Sequence, residues 1–191
     1  MAAKLSEFIY SPSCKLLTWG SSFDSLTELK FAVSVLEDYA FLSQPVSIYY
    51  DLGTRQPVNN VRRCHRRYTP DFLIRHRQTG NAFLIEIKPR EYEGHPQLSL
   101  RKQVAENFIR WKGFDWRFKI IFDDEIFLTE EQLFDFDECS RLRSKSDQTK
   151  WFKQYCQRWV RNGAFVLGNN PSDVQFIFYG DKGKELNQFP Q

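Results

Sequence analysis

The chain has 191 residues, 41% hydrophobic and 16% aromatic with 18 Phe and 5 Trp, which excludes a disordered polymer and suits one domain with a sizeable core. Its four cysteines, Cys14, Cys64, Cys139 and Cys156, include no C-x-x-C pair, which argues against a zinc site and a disulfide framework and for free thiols in a reducing cytoplasm. No apolar run is long enough to span a bilayer, the first residues lack a signal peptide's apolar stretch, and a net charge of +3 does not by itself announce a nucleic-acid binder.

Residues 1–22 read as an irregular lead-in with Pro12 and Gly20. A helix is expected over about Ser25–Ser43, opened by a Ser25-x-x-Glu28 capping box, carried by Leu29, Val33, Leu36 and Ala40, and stopped by Gln44-Pro45. Val46–Tyr50 reads as a short strand before a loop rich in Gly, Pro and Asn. Two further strands are expected at about 67–75 and 82–88, joined as a hairpin by a polar turn. Leu98, Val104, Ala105, Phe108, Ile109 and Trp111 then mark an amphipathic helix ending near Gly113, and Trp116–Phe122 alternates like a strand whose Arg and Lys face water. Thr129 and Gln132 form the capping box of a further helix. Lys150–Asn162 fits a helix burying Trp151, Phe152, Tyr155 and Trp159, and Ala164–Leu167 with Val174–Tyr179 resembles a hairpin. This order of elements predicts one α/β layered domain with a mixed sheet over residues 1–191.

Chemistry concentrates between Thr69 and Arg90, where two apolar runs carry Asp71 and then Glu86-Ile87-Lys88. Side chains two apart on a strand share a face, so Glu86 and Lys88 point together, away from Phe83, Ile85 and Ile87. The hairpin would bring Asp71 alongside, so that two carboxylates and an ammonium converge at one edge of the sheet. Phosphodiester cleavage needs the phosphate's charge neutralised and a water activated; Mg²⁺ does both, and Mn²⁺ can replace it. Asp71 and Glu86 are the hard-ligand candidates, the Ile87 carbonyl is a third, and Lys88 is placed to assist the water. Glu28, bordering the buried stripe of the first helix, is a further candidate. Each has a plainer alternative: Glu28 as the back-bonding half of a cap, Asp71 as a turn residue after Pro70, Glu-x-Lys as solvated strand charge. It is their conjunction at hairpin spacing that points to a nuclease-type site.

At these residues the sequence resembles the PD-(D/E)xK nuclease superfamily, and within it the TnsA-type N-terminal domain of heteromeric transposon endonucleases. Ser25-Leu-Thr-Glu28, Gln44-Pro45, Arg67-Tyr-Thr-Pro-Asp71-Phe and Leu84-Ile-Glu86-Ile-Lys88-Pro follow that family's order, as do the next helix and the Trp116–Phe122 strand. The likeness covers about residues 20–135. It implies a restriction-endonuclease-like mixed sheet flanked by helices, an active-site set of Glu28, Asp71, Glu86 and Lys88, Mg²⁺ dependence, and strand cleavage in concert with an integrase-type transposase. Such proteins continue into a C-terminal winged-helix domain, for which residues 141–191, read here as an extension, are too short.

The basic run Arg62-Arg63-Cys64-His65-Arg66-Arg67 precedes the Asp71 strand, so Arg62, Arg63, Arg66 and Arg67 are expected to bind the phosphates of double-stranded DNA. Asp123-Asp124-Glu125 reads as a solvated strand end that keeps DNA from that edge, and His65 as a polar filler. The leading expectation is a metal-dependent DNA endonuclease, the strand-cleaving subunit of a heteromeric transposase. A stand-alone phage, restriction or repair nuclease of the same fold, and a non-catalytic DNA-binding or assembly module, are the alternatives.

Overall fold

The computed structural model describes residues 23–59 and 61–161. In chain order the elements are α1 (Leu26–Val35), β1 (Tyr39–Ser43), β2 (Ile48–Tyr50), β3 (Arg66–Tyr68), β4 (Phe72–His76), β5 (Ala82–Lys88), α2 (Pro96–Lys112), β6 (Arg117–Phe122), α3 (Glu130–Ser140) and α4 (Lys145–Arg161). Four strands form one sheet in the order β1-β4-β5-β6, antiparallel except for the parallel β5–β6 pair, and β2 with β3 makes a separate two-stranded ribbon. This is the expected mixed α/β sheet flanked by helices.

Alternation along the strands divides the interior into two layers. Phe41, Phe72, Ile74, Ile85 and Ile87 face a core shared with α1, α3 and α4, including Leu29, Val33, Trp151, Phe152 and Tyr155. Ala40, Leu42, Leu73 and Leu84 face the other way, onto Val104, Ala105, Phe108 and Ile109 of α2 and onto Ile48, Tyr50 and Tyr68 of the ribbon. Strands covered on both faces read as unbroken apolar runs. Phe72, fully buried among Phe23, Phe31 and Phe41, illustrates the gain: sequestering such a ring from water contributes about 2–3 kcal/mol.

Three boundaries differ from expectation. The first helix stops at Val35, and Tyr39–Ser43 is a strand paired with β4, Phe41 opposite Ile74. Ala40 fits a helical period and a strand's period alike, and its neighbours Tyr39 and Phe41 favour the strand. The run at 67–75 is two strands, because Pro70 has no N–H to donate and the chain leaves the ribbon for the main sheet there. The last helix starts at Lys145, five residues early, where Ser144 caps it by accepting from Asp147 N–H and Asp147 in turn accepts from the Ser144 hydroxyl.

Other elements stand where their signals put them. α2 begins with Pro96 at its first turn and ends at Gly113, whose φ of 62° suits the left-handed position that closes a helix. The Thr129–Gln132 capping box opens α3. Trp151, Phe152 and Tyr155 join the first core, while the side chain of Trp159, residues 1–22 and the expected 164–179 hairpin lie outside what is described. Among the described residues no helix is long and apolar enough to cross a membrane, and Cys64, Cys139 and Cys156 are free thiols.

Candidate active site

The site is built where β4 begins and β5 ends. Asp71 extends the β4–β5 ladder by one residue, its N–H donating to the Ile85 carbonyl at 3.0 Å. Beyond it Pro70 supplies no backbone partner, and the Asp71 carboxylate takes over: Oδ2 accepts the Ile87 N–H at 2.7 Å. Asp71 is thus fixed as a backbone surrogate, its charge held at the mouth of the hairpin.

Glu86 and Lys88 project from the same face of β5, as strand alternation requires. Lys88 Nζ lies 2.7 Å from Glu86 Oε1, 3.7 Å from Asp71 Oδ2 and 2.7 Å from the Ile87 carbonyl oxygen, to which it donates. Three oxygens, two of them carboxylate, therefore converge on one cation. The strand carrying Glu86 and Lys88 is interior to the sheet, so they meet at the ends of the two central strands, not at a lateral edge.

Glu86 is fully buried, an arrangement that requires compensation on every side. Its Oε2 accepts from the Tyr68 hydroxyl at 2.7 Å, and Oε1 is shared by Lys88 and the Arg101 guanidinium. Burial, reinforced by the Glu86 charge, holds the Tyr68 hydroxyl protonated and donating. Burial is also the main reason that the Asp71 carboxyl is raised, to about 7; the neighbouring Glu86 charge adds to the rise, while Lys88 and the Ile87 N–H oppose it.

Glu28 is brought near but not into contact. Its oxygens accept from Asp24 N–H at 3.0 Å and the Ser25 hydroxyl at 3.2 Å, and its own N–H donates to Ser25 Oγ. The cap therefore differs from the expected box, because the back-bond goes to Asp24 N–H, one residue before the N-cap. Burial raises the Glu28 carboxyl, and its charge is felt by both Lys88 and Asp71. It borders the cluster electrostatically while its oxygens serve the helix.

Two residues of this network escaped the sequence reading. Tyr68 resembles any aromatic on a half-buried strand. Arg101 had a visible signal: it lies on the apolar stripe of α2, between Leu98 and Ala105 at helical spacing, where a lone charge needs a buried partner. Beside them a pocket of about 350 Å³ opens between Lys88, Tyr92, His95, Gln97 and Arg101.

Arg62, Arg63, Arg66 and Arg67 are all exposed, leading into and along β3. Their loop is held: His65 Nδ1 accepts the Arg62 N–H, and Asn107 of α2 donates to the Arg55 carbonyl. His65 thus has a turn-forming role. The acidic segment 123–125 is not a free edge: Asp123 takes the Arg90 N–H, and Asp124 and Glu125 pair with the Arg90 guanidinium, anchoring the chain just after Lys88 to the end of β6.

The donor set suits a hard divalent cation. Carboxylate and carbonyl oxygens are what Mg²⁺ selects, and it keeps several waters, so two carboxylates and a carbonyl suffice. The Lys88 ammonium stands where those oxygens meet. Among the described residues no group of three or more His, Cys, Asp or Glu is clustered as a metal cage.

Residues 39–122 match the family model described as TnsA-like endonuclease N terminal. The matched stretch runs from the start of β1 to the end of β6 and contains Asp71, Glu86, Lys88, the basic segment and Arg101; Glu28 lies outside it. No curated protein matches the chain.

Proposed function

We propose that the chain is a metal-dependent DNA endonuclease of the TnsA type, with Asp71, Glu86 and the Ile87 carbonyl holding Mg²⁺ (or Mn²⁺) and Lys88 assisting the attacking water. The observation that carries this reading is the convergence of Asp71 Oδ2, Glu86 Oε1 and the Ile87 oxygen on the Lys88 ammonium, inside a stretch that matches a nuclease family.

The bound metal would neutralise the scissile phosphate and lower the pKa of its water. Asp71, oriented through the Ile87 N–H, would keep one oxygen aimed at the metal. Glu86 would be held by Tyr68, and Lys88, freed from Glu86, would face the water or the developing charge. Glu28 supports the site through its field. Arg62, Arg63, Arg66 and Arg67 would grip the phosphates of a DNA duplex without reading its sequence. As in the family it resembles, cleavage would serve transposition beside an integrase-type transposase, in the cytoplasm.

A nicking assay on supercoiled plasmid tests this reading. Cleavage is expected in Mg²⁺ or Mn²⁺, lost with a chelator and lost in Lys88→Ala, whose circular dichroism and DNA affinity should match the wild type. Cutting that survives in Lys88→Ala would refute the assignment of Lys88.

A further inference from the structure

The contact between Arg101 and Glu86 is not accounted for by a nuclease site as such. Glu86 is fully buried, and on Oε1, the oxygen that shares the Lys88 ammonium with Asp71, two cations compete: Lys88 from the same strand and Arg101 from α2. Oε2 is already committed to Tyr68. A divalent ion entering beside Asp71 must take Oε1, and so must displace at least one cation.

Arg101 is the better placed to leave. Its side chain is about one-third exposed, against 22% for Lys88, and its guanidinium also sits over the Tyr68 ring at 5.7 Å. It lines the open pocket together with Lys88, Tyr92, His95 and Gln97, so a released guanidinium has room to turn without leaving the site. Leu98 and Ala105, buried one turn to either side, hold its helix in place. A planar fork of five donors suits a phosphodiester better than a single carboxylate oxygen already shared with an ammonium.

We infer that Arg101 is an exchangeable counter-ion of the site: it holds Glu86 until the metal takes that oxygen, and then engages a backbone phosphate of the DNA strand in the adjoining pocket. This rests on the metal reading above. It makes Arg101 a residue with two opposite effects. It opposes metal binding, because the metal must displace it, and it favours DNA binding once the metal is in place. A residue that merely supported the fold would move both affinities the same way.

The test is Mn²⁺ calorimetry on the full chain, wild type against Arg101→Met, followed by anisotropy of a labelled short duplex in Ca²⁺ and in chelator. Arg101→Met should bind Mn²⁺ about tenfold more tightly, the equivalent of one charged hydrogen bond no longer competing. The same variant should bind the duplex about tenfold more weakly in Ca²⁺ and like the wild type in chelator. Arg101→Gln, shorter but still polar, gives the same signs if Arg101→Met does not fold. Wild-type binding of Mn²⁺ with equal or weaker binding in both variants overturns the counter-ion role and leaves the metal site standing. Absence of Mn²⁺ binding from wild type and variants alike, with the duplex present as well as without it, overturns the metal reading itself.

Discussion

Asp71 shows at the scale of one residue how a site can oppose the fold that carries it. Its oxygen substitutes for a backbone acceptor that Pro70 ended, yet its charge is half-shielded from water and faces Glu86, with Glu28 nearby. A carboxyl raised in the folded state binds its proton more tightly than the unfolded chain does. The stability it contributes is therefore complete below the ordinary carboxylate pKa and is lost as pH rises toward about 7. Asp71→Asn keeps an oxygen for the Ile87 N–H and removes the charge. In chelator at about pH 8 its Tm should exceed that of the wild type by several degrees, and the gap should narrow as pH falls and close only below the ordinary carboxylate pKa, where Asp71 is protonated in the folded and the unfolded chain alike. A variant equally or less stable at the higher pH would show that the Asp71 charge costs the fold nothing. Glu86 is the reverse case: three partners meet it, and removing one from a buried charge costs about 3–5 kcal/mol in typical proteins.

Among elements, the β2–β3 ribbon is the one that joins recognition to chemistry. Arg66 and Arg67 lie on the strand whose next residue, Tyr68, donates to Glu86, so the basic segment and the carboxylate belong to one short stretch of chain. Replacing Arg66 and Arg67 together by Ala should weaken duplex binding and reduce the slope of log K against log salt by about 1–2, one phosphate contact per side chain. An unaltered slope would remove the basic segment from the interface. The same elements show what a sequence reveals. The hairpin carrying Asp71 and Glu86-x-Lys88 was legible because two apolar runs joined by a polar turn closing on Gly80, at φ 71°, are local signals. β1 was hidden in a helix because a strand buried on both faces loses its alternation, and the split at Pro70 was visible only as a proline. Arg101 was beyond reach as a partner of Glu86, since the contact depends on how α2 crosses the sheet, although its place on an apolar stripe marked it as anomalous.

For the molecule as a whole, the sheet separates support from function. One face buries α1, α3 and α4, including Trp151, Phe152 and Tyr155, and gives the central strands a rigid backing. On the other, α2 and the ribbon close over the strand ends and deliver Arg101 and Tyr68 to the carboxylates. The Arg90 clasp with 123–125 ties the chain leaving Lys88 to the neighbouring strand. The site is thus assembled from three pieces of chain on a braced scaffold, with its cationic groups already drawn onto the acidic ones. A net charge of +3 conceals this, because the polarity that matters is local.

The account's central claim is that Asp71, Glu86 and the Ile87 carbonyl form a metal site, the ion taking the Glu86 oxygen that Lys88 and Arg101 now share. It is tested most directly by titrating Mn²⁺ calorimetrically into the wild type and into Asp71→Ala, each alone and with a short DNA duplex. Binding by the wild type that disappears in Asp71→Ala is the predicted result. Identical traces from the two proteins, with DNA present as well as without it, would contradict the claim.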